Sequence, residues 1–277
     1  ILIVTLTAIG ALLLALLSTG AVRGEFHDPV GQATTAPARS PSPVGPLRVV
    51  ALGDSVPSGY GCPCAGYVAD LGTTLRDLTH RPTDVHNDAQ GGWTTADVLA
   101  NLMIEPTRTD LAGADLVLIQ VGANDFDTSK IGDQTCFPVA SSPCWASTLA
   151  DLRSGLTQIS HDIRMIDPSH EPRILMIGYW NITVAGAVGL AQGPQFVDGS
   201  DALTKVVNDT IEAVAAQSHA VYVDAYTGFN GEDGSRDPTE DLLGDGDHPD
   251  AEGNAILLQA VLGALTRSGA IAGWTAP

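Results

Sequence analysis

The octapeptide RVVALGDS (Arg48–Ser55) passes from an apolar run straight into a glycine, an acid and a serine. A run so short and so continuously apolar predicts a strand buried on both faces, as in the interior of a parallel sheet. The change of character at Gly53 marks the strand's carboxyl end. The rest of the chain is placed outward from this strand.

The rhythm repeats. Helical spacing of Val68, Leu71, Leu75 and Leu78 predicts a helix over Ala65–His80, and Asp84–Asn87 reads as a weak strand. A helix follows over Thr95–Ile104, with Thr94 or Thr95 as its N-cap. Asp115–Val121 (DLVLIQV) is the clearest strand. Ser147–Ile166 carries Leu149, Leu152, Leu156, Ile159 and Ile163 on one helical face. Strand Arg173–Gly178, helix Asp201–Ser218, strand Ala220–Asp224 and helix Asp250–Arg267 complete the pattern. Trp180–Phe196, rich in Gly and Ala, interrupts it and reads as an insertion near the site. Tyr179, Trp180 and Phe196 either wall an acyl pocket or pack the loop. Five strands alternating with helices predict an α/β fold, a doubly wound parallel sheet between two helical layers.

Composition narrows the function. The 277 residues carry 32 acids against 13 bases, a net charge of −19. No basic cluster occurs, so nucleic acids and anionic membrane surfaces are disfavoured as partners. Residues 1–22 contain no charge and read as either a signal peptide or a transmembrane anchor. Residues 23–46, rich in Pro, Ser and Thr, read as a flexible linker, and 47–277 as the globular domain, expected to be a monomer. The domain is therefore expected outside the cytoplasm, secreted or anchored, with membrane contact only through residues 1–22.

Cys62, Cys64, Cys136 and Cys144 suit that compartment. Cys136 and Cys144 bracket a short loop fit for a local disulfide. Cys62-Pro-Cys64 either closes a small ring or stays reduced, and Tyr60–Cys64 reads as a disulfide-stiffened rim of the site. The spacings match no common zinc site, and no histidine lies near either pair.

Sites in doubly wound folds form at the carboxyl ends of the strands. There the sequence places Gly53-Asp54-Ser55, Asn87 to Gly92, Gly122-Ala-Asn124-Asp125 and Asp245-Gly-Asp247-His248. That is the inventory of acyl transfer. A serine hydroxyl needs a base to take its proton. Among the seven histidines, His248 alone has an acid at short spacing in a strand-to-helix loop. Asp245, three residues earlier, can hold its Nδ1, whereas Asp247 is too close in sequence to reach it easily. Ser55 N–H, Gly91 or Gly92 N–H and the Asn124 amide can receive a tetrahedral oxyanion. The bland readings make Ser55 a helix cap, Asn124-Asp125 a turn pair and His248 a helix cap beside Pro249 in the last helix's first turn. Ser58 is read as shaping the loop, and Asp54 as holding it through backbone amides. His80, His86, His161 and His219 read as surface groups, and the sequons at Asn181 and Asn208 as chance matches.

The four blocks, GDS at 53–55, N-x-A-x-G-G at 87–92, G-x-N-D at 122–125 and D-x-x-H at 245–248, occur in the order of the SGNH (GDSL) hydrolases. The chain resembles that family, and its exported, cysteine-bearing form is similar to secreted actinobacterial esterases and lipases. The resemblance implies a flavodoxin-like α/β/α sandwich with a five-stranded parallel sheet. It implies Ser55 as nucleophile, His248 as base, Asp245 as its orienting acid, and Ser55, Gly92 and Asn124 as the oxyanion hole. It implies a serine ester hydrolase with no cofactor and no metal, acting on a small-molecule ester or an acylated glycan. Acyl transfer to, or deacetylation of, envelope glycans is the alternative chemistry. A non-catalytic module is disfavoured by the four intact blocks. An α/β-hydrolase is disfavoured because no G-x-S-x-G occurs.

Overall fold

The computed structural model describes residues 45–275. The predicted segment 1–22, and the linker 23–46 but for Gly45 and Pro46, lie outside the described residues. Among the described residues no helix is long and apolar enough to cross a membrane.

The chain runs β1 (Leu47–Gly53), α1 (Ser55–Ser58), α2 (Gly66–Thr79), β2 (Thr83–Asn87), α3 (Thr95–Asn101), α4 (Glu105–Leu111) and β3 (Leu116–Gln120). It continues through α5 (Pro143–Ile166), β4 (Arg173–Ile177), α6 (Gly186–Leu190), α7 (Pro194–Gln217), β5 (Val221–Val223), α8 (Tyr226–Asn230), α9 (Ala251–Arg267) and α10 (Ala270–Trp274). The five strands form one parallel sheet in the order β2-β1-β3-β4-β5. This is the predicted flavodoxin-like arrangement. Helices α2 and α9 pack together, and α3, α5 and α7 pack in series.

Burial follows strand position. Every residue of β3 is buried, as are all of β1 but Arg48. Each fully buried Leu or Val contributes roughly 1.5–3 kcal/mol relative to exposure. β2 and β5 are the sheet edges and only half-buried. On β2, His86 is half-buried, its Nδ1 2.9 Å from Asp110, and so is not the free surface group its sequence suggests.

Two helices begin earlier than predicted. α5 starts at Pro143, capped by the Ser142 hydroxyl, which accepts from Cys144 N–H. Proline suits a first helical position, where no intrahelical acceptor awaits its missing N–H. α7 starts at Pro194 for the same reason, so Phe196 lies in a helix and the irregular segment is shorter than the sequence implies. Thr94 is the N-cap of α3, in a reciprocal capping box with Asp97. Disulfides join Cys62 to Cys64 and Cys136 to Cys144. The second ties the loop before α5 to its first turn.

Sheet order fixes where a site can form. The chain leaves β1 toward β2 on one side, and β3 lies on the other. Loops after β1 and β3 therefore diverge, and the crevice between them is this fold's ligand position. Ser55 follows β1 and Asn124 follows β3.

Candidate active site

The floor of the site is set by Gly53. Its φ is +149°, and a Cβ there would stand 2.0 Å from the Gln120 carbonyl oxygen. Only glycine lets β1 approach β3 this closely. Asp54 N–H then donates to Gln120 O at 3.1 Å. The Asp54 carboxylate accepts from Val56 N–H at 3.0 Å and so caps α1. Ser55 is the first residue of that helix and not its cap. Its N–H has no carbonyl one turn back within the helix. The Ser58 hydroxyl donates to Ser55 O at 2.8 Å, a loop-shaping contact as predicted.

Asp54 is 1% exposed. Its second oxygen accepts from the Tyr179 hydroxyl, a contact unforeseen in the sequence. Burial pushes the carboxyl up to about 7. The Tyr179 and Val56 hydrogen bonds and the nearby His248 pull it down, while Asp247 adds to the rise.

The candidate acid–base pair lies in the loop before α9. Asp245 Oδ2 stands 2.8 Å from His248 Nδ1. Asp245 Oδ1 accepts from the backbone N–H groups of Asp247 (3.0 Å) and His248 (3.1 Å). Burial raises the Asp245 carboxyl, but these amides and the imidazole outweigh it and hold it below its ordinary value. Asp247 stands at the other ring nitrogen, 3.9 Å from Nε2. Burial pushes its carboxyl up, His248 pulls it down and Asp245 adds to the rise.

The loop is pinned by backbone bonds, Leu243 N–H to His248 O at 2.8 Å and Ala185 N–H to Gly246 O at 2.7 Å. Asp250, not Pro249, opens the following helix, accepting from Glu252 and Gly253 N–H. Pro249 precedes the cap, outside the predicted first turn. Asn254 accepts from Tyr67 N–H at 2.9 Å and donates to Pro249 O at 3.2 Å, joining α2 to the histidine loop.

Opposite it lie the candidate oxyanion donors. Asn87 donates to Pro57 O at 2.7 Å, locking the turn after β2 onto α1. Gln90 N–H reaches Gly53 O at 3.0 Å. A Cβ on Gly91 would lie 3.7 Å from Ser55 Cβ, whereas one on Gly92 (φ +83°) would meet nothing within 4 Å. Asn124 Nδ2 donates to Trp93 O at 3.0 Å, which sets it beside Gly92. The second N–H of that amide is not used by this bond. Asp125 faces the other way, accepting from Thr95 N–H and from the Thr95 hydroxyl. The Asn-Asp pair thus divides into one exposed amide and one structural carboxylate, which burial pushes up.

A cavity of about 450 Å3 opens beside Asn124 and Asp247, walled by Phe126, Ile182, Val184 and Phe196. Of the predicted aromatic walls, only Phe196 lines it. Tyr179 and Trp180 are buried, Trp180 stacked on Phe229 at 4.3 Å. The sequon asparagines are both engaged. Asn208 bonds the Tyr179 backbone through N–H and C=O, and Asn181 accepts from Thr183 and Ser200. Tyr60 belongs to the stretch expected to form a rim of the site. It packs on His248 with ring centroids 4.7 Å apart.

The GDSL-like lipase/acylhydrolase family model matches residues 51–256, nearly the whole sheet and every block above. No curated protein matches the chain in sequence. Among solved structures, a lipase from a goat rumen metagenome superposes with a TM-score of 0.63 at 17% identity, over 79% of this chain and 97% of that one. The phospholipase A1 of Streptomyces albidoflavus gives 0.57 at 21% identity, over 78% and 98%. The extracellular lipase of Streptomyces rimosus gives 0.56 at 23%, over 78% and 98%. At these identities the likeness speaks for the fold. The family match speaks for the chemistry: the chain belongs to the GDSL-like lipase/acylhydrolases and is a carboxylic ester hydrolase of the SGNH type.

Proposed function

We propose that the protein hydrolyses esters through an acyl-enzyme on Ser55. The observation that carries this reading is the 2.8 Å contact between Asp245 and His248 Nδ1. It fixes the tautomer that leaves Nε2 as an acceptor. His248 Nε2 takes the Ser55 proton as Oγ attacks the ester carbonyl. The tetrahedral oxyanion is held by Ser55 N–H, Gly92 N–H and the second N–H of Asn124. Collapse expels the alcohol, which leaves with the proton from His248. Water, deprotonated by the same imidazole, then releases the acid. No step calls for a cofactor.

The substrate is a small ester, its alcohol or acyl part lodged in the cavity beside Asn124. That cavity also offers Thr128, Thr183 and Gln192, which favours a hydroxyl-rich partner such as an acylated glycan as the second reading. The uncharged residues 1–22 support export, with the domain acting as a monomer, secreted or tethered outside the cytoplasm.

The test is Ser55→Ala. Hydrolysis of a short-chain aryl ester and labelling by a phosphonate probe are both expected to vanish with the thermal melt unchanged. A variant that keeps full activity would remove Ser55 as nucleophile.

A further inference from the structure

Tyr60 lies at the tip of the turn between α1 and α2. Gly59 and Gly61 on either side are both left-handed, with φ of +73° and +74°. This lets the chain fold tightly on both sides of the ring. The turn is anchored at several points. Tyr60 N–H donates to Ser55 O at 3.1 Å, and Cys62 N–H to Gly59 O at 3.4 Å. The Cys62–Cys64 disulfide closes the next three residues. Gly61 abuts Leu243 of the histidine loop.

This anchoring places one ring against both sides of the site. Its centroid is 4.7 Å from that of the His248 imidazole. Its Cδ2 lies 3.6 Å from the Cβ position of Gly91, which itself lies 3.7 Å from Ser55 Cβ. Yet Tyr60 is 58% exposed. A ring recruited only for packing is buried, because burial is the source of its stabilisation. This one is held rigidly beside the reacting groups with more than half its surface free.

We propose that Tyr60 is a specificity residue, the surface on which the alcohol part of the ester rests, and that Cys62–Cys64 is the strut that holds it there. The assignment builds on the ester-hydrolysis reading above. In that reading the departing alcohol oxygen takes its proton from His248. The group attached to that oxygen therefore leaves beside the imidazole, where the exposed ring stands. Planar aromatic alcohols gain a stacking contact there, and short alkyl alcohols do not.

Phenyl acetate and ethyl acetate test this, because both give the same acetyl-enzyme. In Tyr60→Ala, kcat/KM is expected to fall roughly three- to tenfold for phenyl acetate and less than about twofold for ethyl acetate. The release of acetate from the acetyl-enzyme, followed in a single turnover, stays at the wild-type rate. Tyr60→Phe retains the preference. Tyr60→Leu keeps bulk without the flat face and loses it, which serves if the alanine variant fails to fold. Cys62→Ser/Cys64→Ser shows the same selective loss. Equal losses on both esters, or a change that follows acyl length at constant alcohol, overturns the role of Tyr60. Unchanged selectivity in the cysteine variant overturns the strut. Phosphonate labelling of Ser55 is read in parallel. If Ser55 is not the labelled residue, it is the ester-hydrolysis mechanism that fails and not the placement of Tyr60.

Discussion

Tyr179 donates its hydroxyl hydrogen to Asp54 in the core beneath α1, joining two residues 125 positions apart. The contact ties the end of β4 to the residue before the candidate nucleophile. Asp54 thereby combines the cap of α1, a bond to a distant strand end and a titratable group within the fields of Asp247 and His248.

This arrangement has a pH signature. Burial raises the folded Asp54 carboxyl to about 7, above its value of about 3.9 in an unfolded chain. Between those values the folded state holds the extra proton. The contribution of Asp54 to stability is therefore complete below about pH 4, declines as pH rises toward 7, and is flat beyond. Asp54→Asn keeps an acceptor for Val56 N–H and a donor for Tyr179 Oη, with no charge to bury. Urea melts at steps from pH 4.5 to 8 are expected to show wild type losing stability relative to this variant, by on the order of a few kcal/mol across the range. Parallel curves would mean that Asp54 does not titrate there.

The two acids around His248 are expected to separate sharply. Asp245→Asn keeps the shape of the loop but loses the carboxylate at Nδ1, and its kcat is expected to fall by about 10³–10⁴. The Asp247 carboxylate comes no closer to His248 Nε2 than 3.9 Å. Asp247→Asn is expected to cost less than about tenfold, since only a charge beside Nε2 is lost. Both variants are expected to melt with wild type, because Asp245 and Asp247 are each partly exposed. Similar losses in the two would remove Asp245 as the acid that orients His248 in the proposed mechanism. The measurement is kcat on one aryl ester, taken for wild type and both variants under the same conditions.

How much of this was legible depends on distance along the chain. β1 and β3 carry continuous apolar runs, Val49–Leu52 and Leu116–Ile119, and both are readable. β2, with Asp84, His86 and Asn87, is half-exposed at the sheet edge and gave a weak signal for that reason. α4 was missed because only Thr107 and Leu111 of its seven residues are buried, too few to show a period. The Asp245–His248 pair was readable because three residues in one loop suffice to bring them together. The Asp54–Tyr179 bond was not, since nothing local to either residue names the other. Tyr60 sits in the same category. Its glycine and cysteine neighbours marked a stiff turn, but only the packing of α2 on α9 brings that turn over His248.

Gly53 is where the fold and the site depend on one atom. A methyl group there would lie 2.0 Å from Gln120 O, a backbone atom in the centre of the sheet that cannot rotate away. The φ of +149° adds strain for any L side chain. Relief requires β1 and β3 to separate at their carboxyl ends, which breaks the Asp54 N–H bond to Gln120 O and moves Ser55 away from the Asn124 side. Gly53→Ala is therefore expected to cost more than about 3 kcal/mol, beyond the usual range for a single substitution. The surviving folded fraction is expected to lose activity as well, because the displaced residue adjoins the candidate nucleophile. Gly113→Ala is the control. That glycine is also left-handed, at φ +74°, but its Cβ position is open, so it carries the backbone strain without the clash. Its expected cost is about 1 kcal/mol, with kcat/KM unchanged. If chemical denaturation gives the two variants equal stability, the close approach of β1 to β3 is not what demands glycine at position 53.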